Sequence, residues 1–384
     1  MNTLSRKSTP PASKNKLKEV ALVFFKLGCF AFGGPAAHIA MMEDEIVSKR
    51  KWMSREHFLD LIGATNLIPG PNSTEMTMHC GHERAGSKGL FIAGISFIIP
   101  AVIITALLAY LYVSYGKLPE IAPFLFGIKP AVLAIIASAI LKLGKKATKT
   151  IDLIIIGILV LIITLLGVHE IIALLGAGVI GTLYFYLKSK TITTAKTIIP
   201  LPIVISSLLI KTPVLHVFWT FLKVGAILYG SGYVLFAYLD AELVTKGWLT
   251  RTELIDAIAV GQFTPGPVLS TATFIGYQLS GFGGALAATA GIFLPSFIFV
   301  LILNPFVSKM RSSKVLSYFL DTVNVGAVAI MLAVLITMGL ETLTDWRAIV
   351  IAVISAFFIF SKWKLNVMWI IAGGAILGCL LQLV

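Results

Sequence analysis

Apolar stretches recur along this chain at 89–113, 122–141, 153–168 and 315–340. A helix needs about 20 mainly apolar residues to cross a hydrocarbon core, so these segments read as membrane spans. Composition agrees, because 57% hydrophobic and 13% charged residues leave too little polar surface for a water-soluble fold of 384 residues. The formal charge of +13 would suit nucleic acid, but the basic residues stand in short clusters between apolar stretches. Lysine and arginine so placed mark cytoplasmic loops, and no nucleic-acid partner is expected. Residues 1–18 carry Arg6, Lys7, Lys14, Lys16 and Lys18 among Ser, Thr and Pro, without the small-residue cleavage site of a secretory signal. They read as a disordered cytoplasmic tail.

The chain repeats itself. Phe25-Lys26-Leu27-Gly28 returns 197 residues later as Leu222-Lys223-Val224-Gly225. Glu43 and Glu45 return as Asp240 and Glu242, Trp52-Met53-Ser54-Arg55 as Trp248-Leu249-Thr250-Arg251, and Asp60 as Asp256. Asn66-Leu67-Ile68-Pro69-Gly70-Pro71 matches Gln262-Phe263-Thr264-Pro265-Gly266-Pro267, and Gly86/Gly281, Gly89/Gly284 and Pro100/Pro295 follow in order. Duplicated halves are a common construction for membrane carriers.

Topology follows by parity. Basic clusters at 142–149, 188–196, 309–314 and 362–364 should share the cytoplasmic side, and the apolar stretch between Lys196 and Lys211 then inverts the second half. The expected fold is an all-α polytopic membrane protein. It has two inverted-topology repeats of about six helices, 19–190 and 213–384, joined by a connecting transmembrane segment at 191–212. For the count to close, the polar-looking segment from about 56 to 80 must also cross, giving roughly thirteen crossings. The amino end is then cytoplasmic and the carboxyl end extracytoplasmic, in the cell's inner membrane.

Pro-Gly-Pro removes backbone donors and prevents regular helix through the triplet, so both segments must break at that point. Broken helices inside a membrane are tolerated where protein or a cavity satisfies the loose backbone groups, and carriers build binding sites from them. The candidate substrate site is Asn66, Pro69, Gly70, Pro71, Asn72, Ser73 and Thr74 with Gln262, Pro265, Gly266, Pro267, Ser270 and Thr271. These supply amides, hydroxyls and two helix N-termini, with Asn72, Ser73, Thr74, Ser270 and Thr271 expected as caps. Gly33, Gly34 and Gly230 add a glycine-rich element that either packs helices closely or leaves room for substrate. Lys26 and Lys223 stand one turn before these glycines, where an ammonium either meets a dianion or reaches the interface. The same alternatives hold for Lys129. Glu75, His38 and His79 are the candidate coupling groups, because a carrier driven by a gradient needs a titratable side chain beside its site. The carboxylates Glu43, Glu45, Asp240 and Glu242 read as loop-face residues.

No metalloprotease pair, nucleophile elbow, Walker loop or dinucleotide fingerprint occurs, which argues against an enzyme. Cys29, Cys80 and Cys379 are odd in number and lack metal-ligand spacing, so neither a disulfide framework, a metal nor a cofactor is expected.

With these residues in view, the chain resembles the chromate ion transporter family in its long, two-domain form. The resemblance rests on Phe30-Ala31-Phe32-Gly33-Gly34-Pro35-Ala36-Ala37-His38, on Trp52-Met53-Ser54-Arg55-Glu56 and on Asn66 through Glu75. In the second half it rests on Gly230-Ser231-Gly232-Tyr233, Gly247-Trp248-Leu249-Thr250 and Gly261 through Pro267. It implies efflux of chromate from the cytoplasm, resistance to chromate, a membrane gradient as driving force and an antiparallel duplication. His82 and Ser87 depart from the family, which more often looks aromatic there. Sulfate, a tetrahedral dianion of nearly the same size, is the alternative substrate, and a non-transporting membrane sensor the alternative class. Lipid is the obligatory surrounding, and a homodimer is compatible with these features.

Overall fold

The computed structural model describes residues 13–31, 35–65, 68–116, 118, 120–189, 213–229, 234–303, 313–361 and 365–382. Among them stand fourteen helices, in two sets of seven that follow the same order. The first set is α1 (Ser13–Phe30), α2 (Pro35–Met42, continued by a π-turn over Glu43–Lys49), α3 (Arg55–Thr65), α4 (Asn72–Tyr115), α5 (Ala122–Ala147), α6 (Ile151–Leu165) and α7 (Glu170–Lys188). The second is α8 (Pro213–Ile227), α9 (Leu235–Leu239, continued by a π-turn over Asp240–Val244), α10 (Arg251–Phe263), α11 (Thr271–Leu303, led by a 3-10 turn over Val268–Ser270), α12 (Lys314–Thr342), α13 (Trp346–Phe360) and α14 (Val367–Gln382). The expectation of about six helices per half becomes seven because each half is interrupted twice, after Phe30 or Ile227 and again at its Pro-Gly-Pro, while one long helix takes in two of the expected segments. The connecting segment 191–212 and most of the basic tail lie outside the described residues.

Five elements, α4, α5, α7, α12 and α11 with its leading turn, are long and apolar enough to cross a membrane. Exposed Leu107, Ile155, Leu183 and Phe357 belong to an apolar outer surface that suits lipid rather than water.

The two longest helices are hairpins. Regular φ/ψ fails in α4 at Ala85 and Gly86, and in α11 at Ser280 and Gly281. Gly86 (φ 66°) and Gly281 (φ 59°) take the left-handed conformation that lets the chain reverse. A Cβ on Gly81 or Gly89 would collide with the other's carbonyl, and Gly276 and Gly284 face each other in the same way. Backbone therefore lies directly on backbone, as small residues permit in membranes. Gly284→Ala should pry the arms apart and cost about 1–3 kcal/mol. Gly283→Ala is the control, because a Cβ there meets only Val214 at an ordinary 3.5 Å. Thermal unfolding of the detergent-solubilised variants checks the difference, and equal melting temperatures would contradict it.

Ion pairs fix where each hairpin returns. Glu19, early in α1, accepts hydrogen bonds from Arg50 (3.1 Å), Trp52 (3.2 Å) and Arg84 (2.7 Å), which lie after α2, before α3 and at the end of the first arm of α4. His57 at the start of α3 meets Glu83 at 3.2 Å. The stretch 56–80 therefore goes in and turns back at the Pro-Gly-Pro, instead of crossing as the parity count required. Parity could not reveal this, since the first segment also breaks and returns, and two returns leave the parity of the count unchanged.

The second arms of α4 and α11 pack against each other in opposite directions. On the second arm of α4, Phe91 stacks on Phe297 late in α11 (centroids 5.5 Å apart), while Tyr112 at the far end meets Phe274 and Asp256 at the start of the second half's helices. The halves also interlock: α5 packs on α13 and α14 of the other half, and α12 packs on α6 and α7. The contacts run through small residues, Gly127 against Gly374 and Gly378, and Gly178 and Gly181 against Phe319 and Thr322.

Candidate functional site

Each Pro-Gly-Pro is seated on the opposite half. The Gly70 N–H donates to the Leu228 carbonyl at 2.6 Å, and the Gly266 N–H donates to the Ala31 carbonyl at 2.9 Å. Leu228 and Ala31 end α8 and α1 and correspond under the repeat, so one contact is made twice by symmetry. Both glycines have positive φ, 146° at Gly70 and 87° at Gly266. A Cβ on Gly266 would lie 3.0 Å from the Ala101 Cβ and 3.2 Å from the Gly28 carbonyl oxygen, and one on Gly70 would collide with the Glu75 carboxyl and the Ser296 hydroxyl. Glycine is required for conformation and for space, and the flanking prolines keep the chain from closing into continuous helix.

The N-caps of the new helices are Pro71 and the 3-10 turn's Pro267, and neither carries a side-chain cap. This corrects the expectation that Asn72, Ser73, Thr74, Ser270 and Thr271 cap them. Thr271 Oγ1 instead donates to the Val268 carbonyl (2.8 Å), and Ser270 Oγ accepts from Thr105 Oγ1 of the other half (3.2 Å). Each new helix directs the positive end of its dipole at its break.

Around the first break, Pro69, Gly70, Pro71, Ser73, Thr74 and Glu75 are all buried and Asn72 is partly so. Glu75 has no exposed surface, and neither carboxyl oxygen has a hydrogen-bond partner of good geometry. Around the second, Pro265, Gly266, Pro267, Ser270 and Thr271 are buried, and the half-buried Gln262 has an unpartnered amide nitrogen. His38 Nε2 lies 3.0 Å from the Ala31 carbonyl oxygen, the acceptor that Gly266 also uses, and so braces this seat. His79 is buried one turn beyond Glu75.

The lysines behave differently from one another. Lys26 is exposed, Lys223 is ion-paired with Glu242, and Lys129 lies 4.0 Å from Asp256, which also accepts from Tyr112 at 2.7 Å. Asp240 and Glu242 are buried, not loop-face: Arg251 holds Asp240 at 2.9 Å, and Glu242 takes Lys223 and Lys246. Asn66, Gly33, Gly34 and Gly230 lie outside the described residues. Sequence reasoning missed Ser296 and passed over Asp256. The signal for Ser296 was its place after Pro295, where the first half has Ala101 after Pro100.

The sequence profile described as Chromate transporter matches twice, at residues 18–182 and 215–379. Over 98% of this chain and 96% of the relative, it is 28% identical to the chromate transport protein of Cupriavidus metallidurans. It is 29% identical to the probable chromate transport protein of Synechococcus elongatus, over 91% of each chain. With the chromate transport protein of Pseudomonas aeruginosa it shares 30% identity over 93% of this chain and 90% of the relative. No solved structure matches it.

Proposed function

The chain belongs to the chromate transporter family, and on that premise we propose that it is a secondary carrier exporting chromate from the cytoplasm, coupled to an ion gradient, and so confers resistance. The observation that carries this reading is the reciprocal seating of the two breaks, Gly70 on Leu228 and Gly266 on Ala31. Two interrupted helices held by opposite halves give a site that belongs to neither half alone, which is what alternating access requires. Backbone amides, hydroxyls and helix N-termini suit a tetrahedral oxyanion. The binding residues proposed at the two breaks are Pro69 to Thr74 and Pro265 to Thr271, with Gln262 as a side-chain donor.

Inverted topology with a cytoplasmic amino end is part of the proposal. Lys188 pairs with Asp152 (2.7 Å) and Lys149 with Asp321 (2.6 Å), so the two basic clusters of the first half lie on one face, beside the first turns of α12. Arg251 pairs with Glu341, at the opposite end of α12 from Asp321. Gathering the basic loops on one face supports a cytoplasmic assignment for it.

Cells with and without the protein, challenged with labelled chromate, test the reading. Lower internal chromate in cells that contain it is expected, and equal accumulation would remove export. Competition by sulfate in inverted vesicles then measures selectivity between the two dianions.

A further inference from the structure

We infer that the two breaks are chemically unequal: the first is the seat of a monovalent coupling cation, built by Glu75 of one half and Ser296 of the other, which leaves the substrate anion to the second. The inference rests on the carrier reading above and deepens it.

At the first break three oxygen-bearing side chains, Thr74, Glu75 and Ser296, are without exposed surface, and none makes a hydrogen bond of good geometry. Glu75 and Ser296 bound the same space, because a Cβ on Gly70 would strike both at once. Thr74, on the same helical turn, carries another buried hydroxyl without a partner. Among the described residues no lysine, arginine or histidine forms an ion pair with Glu75, and its charged or titratable surroundings are Tyr229, at the end of α8, and His79, one turn along α4. An ionised carboxylate so isolated from water is very costly, so it must carry a proton or share a cation. Carboxylate, hydroxyl and the carbonyls of an unwound segment are the oxygen ligands that carriers use for such ions. One carboxylate balances one positive charge, which makes the ion monovalent: a proton or sodium.

The second break lacks these groups. Where the first half has Glu75 the second has Thr271, and Ser296 corresponds to Ala101. A dianion at the first break would face a carboxyl group, whereas at the second it faces the hydroxyls of Ser270 and Thr105 and no carboxylate from these positions. The sequence repeat thus differs at both residue pairs that separate a cation site from an anion site, Glu75/Thr271 and Ser296/Ala101.

The test uses the whole protein in liposomes, with labelled chromate and an imposed proton gradient, sodium gradient or neither. Wild type should respond to one of the two gradients, and which one identifies the cation. Glu75→Gln should lower the ratio of gradient-driven uptake to chromate–chromate exchange by about 10-fold. Should that variant fail to insert, Ser296→Ala decides: it should raise the half-saturating cation concentration more than the half-saturating chromate, and Ser270→Ala should do the reverse. A wild-type ratio in Glu75→Gln overturns the inference, as does a Ser296→Ala variant that shifts chromate alone. Wild type that exchanges chromate but ignores both gradients also overturns it, while wild type that moves no chromate at all sinks the carrier reading instead.

Discussion

Replacing Pro265-Gly266-Pro267 by three alanines should abolish chromate transport and leave the protein in the membrane. Alanine favours helix, so the change invites α10 to run on into α11 through a turn that now separates them. It also restores two backbone N–H groups in a buried place and forces a Cβ at φ 87°, where the nearest atoms are Ala101 and the Gly28 carbonyl. Either relief, continuous helix or a displaced loop, pulls Gly266 off the Ala31 carbonyl and moves the start of α11. Displacing binding groups by about 1 Å costs on the order of 100-fold in rate at a preorganised site, so resistance should fall to background. Insertion depends on the long apolar arms, which are untouched. Membrane abundance by immunoblot and chromate resistance of the same cells make the check, and ordinary resistance at ordinary abundance would contradict the site.

Glu242→Ala should destabilise the protein well beyond the equivalent change in the first half, Glu45→Ala. The Glu242 side chain is 1% exposed and holds Lys223 and Lys246, with His169 of the other half 3.6 Å away. Removing it leaves Lys223 and Lys246 without their shared carboxylate partner. Breaking a fully buried pair costs about 3–5 kcal/mol, and partial solvation of Lys223 and Lys246 reduces that to about 2–3 kcal/mol. Glu45, its partner under the repeat, pairs with Arg50 and Lys49 near the surface, so Glu45→Ala should cost less than about 1 kcal/mol. Melting temperatures of the two purified variants measure the contrast, and a Glu242→Ala protein as stable as Glu45→Ala would refute it. The same cluster bears on Lys223, whose ammonium would have to leave Glu242 before it could meet a substrate.

The duplication was legible because proline and glycine act through the backbone, so Pro69-Gly70-Pro71, Gly86 and Gly89 keep their chemistry wherever the chain is placed. That the breaks would occur followed from the same fact. What they would do to the path of the chain did not: charge parity registers only odd against even crossings, and a segment that returns at Gly70 looks like one that never entered. Glu75 stood out as a titratable side chain just beyond the first break. Its neighbour Ser296 lies 221 residues away, and nothing local announces such a pairing. The fates of Lys26 and Lys223 were also hidden, because equivalent residues acquire different neighbours once Glu242 is buried and Glu45 is not. The interlocking of α5 with α13 and α14 left only the faint trace of glycines at 127, 374 and 378.

Disulfide trapping across the second break is the most direct measurement. In a background without Cys29, Cys80 and Cys379, cysteines replacing Thr105 and Ser270, whose hydroxyl oxygens lie 3.2 Å apart, should cross-link within one chain on mild oxidation. Chromate transport should stop with the cross-link and return on reduction. Failure of this pair to cross-link, or cross-linking only between chains, would mean that the interrupted helix of the second half does not sit on the first, and the shared site would be lost.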